Sequence, residues 1–173
     1  QCALANLHRI GYLHLETPME DQLTAPVTSF KWPGKDTASV PFQVYTDPDL
    51  YALEQKRIFR GPVWNFIALE TELKNPGDYK NTWIGDTPII VVRNRKGAIN
   101  AMVNRCAHKG ALVCYKPHGN VQELTCVYHN WVYDLDGKLT GVAFKRGVAG
   151  KGGVSDDFDQ GDHGLQRLRV ETY

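Results

Sequence analysis

The chain has 173 residues, 42% of them hydrophobic, and a formal net charge of +1 from 20 Lys/Arg against 19 Asp/Glu. That length supports one ordinary domain, or one domain with an extension. Balanced charge without a basic block or acidic tail argues against nucleic-acid and membrane-surface binding. Apolar runs such as Ile89–Val92 are far too short to span a bilayer.

Residues 1–18 include His8, Arg9, His14 and Glu16 without a continuous apolar segment, so no cleavable leader is expected. The chain starts at Gln1, and Met19 reads equally as an internal residue or as a true start with residues 1–18 upstream of it. Four Cys without a leader favour a metal site in a reducing, cytoplasmic compartment over a disulfide framework. Residues 1–44 read as an extended arm, with Pro26, Pro33, Gly34 and Pro41 among polar residues. A helix is expected within 45–62. Asp47 is its cap, Pro48 its first residue, Asp49 an acid in its first turn, and Gly61-Pro62 its end.

From Val63 the pattern turns to short β segments: Val63–Leu69, Ile89–Arg93, Ala98–Val103, Val121–Val127, Trp131–Tyr133 and Lys138–Val142. Asn94-Arg95-Lys96-Gly97 and Asp136-Gly137 mark two hairpin connections. Residues 145–164 hold six Gly and several Asp and read as a long loop, and Arg169–Tyr173 alternates like a strand cut short. The fold class expected is mainly β, with small antiparallel sheets over 63–144 behind an N-terminal arm and helix.

Two motifs carry the chemistry: Cys106-Ala107-His108 and Cys126-Val127-Tyr128-His129, each leaving a predicted strand. Structural zinc is the default for two Cys and two His, but zinc fingers put both Cys on one element and both His on the other. Here each loop offers one thiolate and one imidazole. Sorting the donors by metal suits two irons, both Cys on one and both His on the other, which is the Rieske arrangement of a [2Fe–2S] cluster. A zinc-stabilised interaction module is the competing reading. Gly110 would let backbone N–H groups approach a sulfide, and Pro117 and Gly119 turn the segment between the loops.

Asn104-Arg105-Cys106-Ala107-His108-Lys109-Gly110 and Cys126-Val127-Tyr128-His129-Asn130-Trp131-Val132-Tyr133 resemble the N-x-C-x-H-R-G and C-x-Y-H-x-W-x-Y patterns of a known family. It is that of the large (α) subunits of Rieske non-haem iron aromatic ring-hydroxylating oxygenases. Lys109 stands for the usual Arg and Asn130 for a usually small residue. The likeness runs from about Pro41 to the end. Tyr45-Thr46-Asp47-Pro48, Arg57-Ile58-Phe59, Asn75-Pro76-Gly77-Asp78-Tyr79 and Gly141-Val142-Ala143-Phe144 look like members acting on terephthalate, salicylate, anthranilate or halobenzoate.

The resemblance implies one [2Fe–2S] cluster per chain, fed by a reductase or ferredoxin. It also implies association with other α subunits, with or without β subunits, and an aromatic acid as substrate of the full-length enzyme. The mononuclear Fe(II) would belong to a C-terminal catalytic domain, of which residues 145–173 would be the start. No catalytic residue is therefore expected in this chain, and a stand-alone Rieske ferredoxin is the alternative. Tyr133 resembles the Tyr whose hydroxyl bonds a ligand sulfur. Trp131 stands where high-potential members carry a hydroxyl donor and would shield the cluster. Cys2 and Cys114 read as inert thiols, His8, His14, His118 and His163 as surface residues, and the Asp156–Asp162 run as a solvated loop.

Overall fold

The computed structural model describes residues 2–6, 31–32 and 38–173. His8, His14, Met19 and most of the expected arm lie outside the described residues. The chain divides into two compact units, Gln1–Asn6 with Trp64–Tyr173, and Leu7–Val63.

Within Leu7–Val63, a short 3-10 turn (Phe42–Tyr45) precedes helix α1 (Pro48–Glu54), which continues as a π turn through Gln55–Phe59. The Asp47 carboxylate accepts from the backbone N–H groups of Asp49 (3.0 Å) and Leu50 (2.8 Å), satisfying two of the orphan donors of the first turn. A Cβ at Gly61 would run into the Arg57 carbonyl, so only glycine lets the chain turn away there.

The other unit is built from ten strands: β1 (Cys2–Asn6), β2 (Asn65–Leu69), β3 (Asp78–Ile84), β4 (Thr87–Arg93), β5 (Ile99–Val103), β6 (His118–Asn120), β7 (Leu124–Thr125), β8 (Val132–Tyr133), β9 (Leu139–Gly141) and β10 (Arg167–Thr172). Seven of them form one sheet in the order β2-β1-β10-β5-β4-β3-β6, and β7-β8-β9 form a small second sheet. Each pairing is antiparallel. The fold is thus mainly β, as the patterning suggests. β4 is central and buried from Pro88 to Val92, so its sequence is a continuous apolar run rather than an alternation.

Two hairpins use the same device. The Asn94 side chain accepts from the N–H groups of Lys96 and Ala98, and the Asp134 side chain from those of Asp136 and Lys138. Each turn ends in a left-handed glycine, Gly97 (φ +86°) or Gly137 (φ +81°). The Asp136 carboxylate joins the hairpins by accepting from Asn94 Nδ2 and Asn100 Nδ2, both at 2.8 Å, and these bonds hold its pKa below the usual value.

Three sequence expectations change. Val121–Val127 is a strand only over Leu124–Thr125, because Cys126 already enters a tight loop. Cys2–Asn6, read as arm, is a strand between β2 and β10, its Ala3 and Ala5 fully buried. The loop 145–164 contains a 3-10 turn (Gln160–His163) whose His163 packs against aromatic rings instead of lying on the open surface.

Candidate metal centre

Two loops of matching design present the motif residues. In the first, after β5, the Gly110 N–H donates to the Cys106 carbonyl (2.9 Å) and the Cys106 N–H to the Ala111 carbonyl (2.8 Å). In the second, after β7, the Asn130 N–H donates to the Cys126 carbonyl (2.9 Å) and the Cys126 N–H to the Trp131 carbonyl (2.8 Å). Closing such a turn needs a left-handed residue four places after the cysteine. Gly110 (φ +70°) and Asn130 (φ +54°) supply it, and Asn tolerates that region better than other side chains. Gly110 thus serves the turn, its own N–H being spent on the Cys106 carbonyl.

Cys106 and Cys126 are 4% and 1% exposed and belong to the core cluster with Ile90, Met102, Leu124 and Tyr133. Their thiols sit side by side. Burial, then the neighbouring Cys126, pushes the Cys106 thiol above its ordinary pKa, so a thiolate there calls for compensating positive charge. The imidazoles stand farther out: His129 is exposed and His108 half-buried, with ring centroids 4.7 Å apart at 71°. Burial, followed by the charges of His129 and Lys109, lowers the His108 pKa, which favours the neutral ring, the form that ligates metal. Its Nδ1 is buried without a hydrogen-bond partner. A buried nitrogen left unpaired is costly unless something fills its lone pair.

Among the described residues no three His, Cys, Asp or Glu side chains are grouped as they would be around one metal ion. The four motif residues instead fall into a thiol pair and an imidazole pair. Two sulfurs and two imidazoles, one of them with an orphaned Nδ1, fit a [2Fe–2S] cluster.

Tyr133 is fully buried, and its hydroxyl lies 3.1 Å from Cys106 Sγ. The Ala107 N–H donates into the same hydroxyl oxygen at 3.1 Å, which directs the phenol proton toward the sulfur. Burial, then the contact with Cys106, raises the Tyr133 pKa, so the phenol keeps that proton. Trp131, 6% exposed, stacks on His108 with centroids 4.8 Å apart and planes at 10°. Lys109 is exposed. Cys114 packs against the same core cluster, its thiol pushed up to about 11 by burial, and all four cysteines are free of disulfides.

Sequence reasoning missed Asn104 as the residue that pins the first loop. It is 3% exposed, its oxygen accepting from Val113 and Cys114 N–H and its amide donating to the Cys114 carbonyl. Its place in the quoted motif was the only signal.

Residues 63–150, just over half of the chain, match the Rieske [2Fe-2S] domain. The chain belongs to the Rieske [2Fe–2S] family. This Rieske chain is 52% identical over 142 residues to the anthranilate 1,2-dioxygenase large subunit of Burkholderia cepacia, covering 82% of the chain and 34% of that protein. It is 46% identical over 143 residues to the terephthalate 1,2-dioxygenase terminal oxygenase component subunit alpha 2 of Comamonas sp., covering 83% and 35%. The solved naphthalene 1,2-dioxygenase from Rhodococcus sp. bound to indole superposes with a TM-score of 0.64 at 34% identity, over 74% of this chain and 28% of that one. The chain thus spans about a third of the length of the curated relatives it matches. The resemblance to oxygenase large subunits read from the two motifs is borne out. No helix among the described residues is long and apolar enough to cross a membrane.

Replacing Tyr133 by Phe should lower the reduction potential of the cluster. The lost O–H···S bond favours the more negative, reduced state. About 1 kcal/mol of differential hydrogen bonding corresponds to about 40 mV for one electron. Protein-film voltammetry of wild type and variant checks the sign, and an unchanged potential would make Tyr133 a packing residue.

Proposed function

We propose that Cys106 and Cys126 hold one iron of the cluster and His108 and His129 the other. In this reading the chain is the electron-accepting module of an aromatic ring-hydroxylating oxygenase large subunit that acts on an aromatic acid. One observation carries it: two matched loops set a buried thiol pair, backed by Tyr133, beneath an imidazole pair that reaches the surface. The names of the anthranilate and terephthalate dioxygenases support the substrate class, since both name aromatic acids.

When bound, the cluster supplies a one-electron carrier. The protein supplies its surroundings. The packed residues around Cys106 and Cys126 keep water from the sulfurs, and Tyr133 holds a proton against Sγ of Cys106. His108 and His129 would hold the outer iron and form the rim on the side open to a partner. A reductase or ferredoxin would give the electron, and a mononuclear iron in a catalytic domain, within an assembly of α subunits with or without β subunits, would receive it. The free thiols and family suit a cytoplasmic setting.

The chain by itself should accept electrons and hydroxylate nothing, because O₂ activation needs an iron with open positions on a facial triad. Reduction by dithionite or by an aromatic-acid oxygenase reductase should bleach the cluster reversibly. Anthranilate, salicylate, benzoate and terephthalate should remain unchanged by chromatography. Catalase-resistant hydroxylated product at more than trace turnover would contradict this reading.

A further inference from the structure

The Gly-rich loop 145–164 supplies two rings to the back of the cluster site. Trp131 lies flat on His108, and its other neighbours stand edge-on to it. Phe158 is 5.7 Å away at 76° and His163 is 5.7 Å away at 71°. Phe158 and His163 also touch each other, with centroids 4.4 Å apart. Both are half-buried, in a loop whose composition reads as solvated.

The pair is itself held. His163 Nδ1 bonds the Asp159 carbonyl at 2.7 Å, and the Asp159 carboxylate accepts the Gly161 N–H at 2.8 Å. On the far side, the Leu165 N–H donates to the Gly137 carbonyl at 2.7 Å, tying the turn to the β8–β9 hairpin. The Phe158 N–H closes a turn onto the Ser155 carbonyl, and the Lys145 ammonium lies 5.9 Å from the Phe158 ring centre.

We propose that Phe158 and His163 are positioning residues for the iron–sulfur cluster: they brace Trp131 so that its indole fixes the plane of the His108 imidazole. This rests on reading His108 as a ligand. A metal–nitrogen bond sets where an imidazole points but leaves it nearly free to rotate about that bond. A flat neighbour removes the freedom, and only as firmly as the neighbour is held. Groups that orient a ligand tune the metal and its retention without touching it.

The test uses the full chain, purified anaerobically with its cluster. Phe158→Ala/His163→Ala should shift the g values of the reduced cluster in EPR. It should also release iron to a chelator about tenfold faster than wild type. His163→Phe, which keeps a ring at that place, should restore wild-type g values. Phe158→Leu keeps apolar volume without a ring edge, and guards against a double variant that fails to fold. It should shift the g values while its unfolding midpoint matches wild type. Wild-type g values in Phe158→Leu, or wild-type g values and release rate in a loaded double variant, would overturn the proposal. A wild-type protein lacking any [2Fe–2S] signal would instead sink the ligand assignment.

Discussion

Cys126→Ser is expected to empty the cluster site, taking iron from about two atoms per chain to near zero. Cys126 is buried at the mouth of a loop closed by its own N–H and C=O, so its sulfur cannot move to make room for a longer ligand path. A serine hydroxyl stays protonated where a thiolate is needed, and its shorter C–O bond falls short of the same point. Cys114→Ser is the control, because that thiol belongs to neither Cys/His motif and burial pushes it up to about 11. Iron and absorbance of the two variants, purified side by side, decide the matter. Equal loss in both would mean that fold disruption, not ligation, empties the site.

Asn104→Ala should lower stability by about 3 kcal/mol. The change strips partners from the Val113 N–H (2.8 Å), the Cys114 N–H (3.0 Å) and the Cys114 carbonyl (2.8 Å), and breaks a weaker bond to Asn81 Oδ1 (3.3 Å). Val113 is 3% exposed, so water cannot take over its N–H. Asn81 approaches from β3 and donates to the Cys114 and Lys116 carbonyls, so the two Asn together hold 113–116 against the large sheet. Urea unfolding of the cluster-free proteins measures the difference. A loss below about 0.5 kcal/mol, typical of a surface change, would show that the loop finds other partners.

The site was legible because its chemistry is local. Within each Cys/His pair the two residues lie at most three positions apart, and the hairpin turns carry Asn, Asp and Gly where the backbone demands them. Asn130 looked like a departure from the family pattern. Its left-handed φ shows it to be one of the few residues that can close the loop. What the sequence concealed is what depends on distant partners. β3 shows no alternation, for only Tyr79 and Ile84 are buried along it, while Lys80 and Asn81 spend their side chains on Glu72 and on the loop carbonyls. β1 buries only the small Ala3 and Ala5, and its pairing with β2 and β10 spans more than a hundred residues of sequence on one side. Phe158 and His163 read as loop residues because nothing nearby in sequence says that Trp131 lies beneath them.

The proposed ligand division would explain why one site has both a dry and a wet half. The buried thiols would keep the charged sulfur end of a cluster in a packed setting, with the Tyr133 hydroxyl beside Cys106 Sγ. The imidazole pair reaches the surface, where, in that reading, an electron would have a short path to a partner. Trp131 covers one side of that end without sealing it, since His129 stays exposed.

Iron and acid-labile sulfide in freshly purified, anaerobic protein test the central claim most directly. The account predicts about two of each per chain. Stoichiometric zinc without sulfide would contradict it.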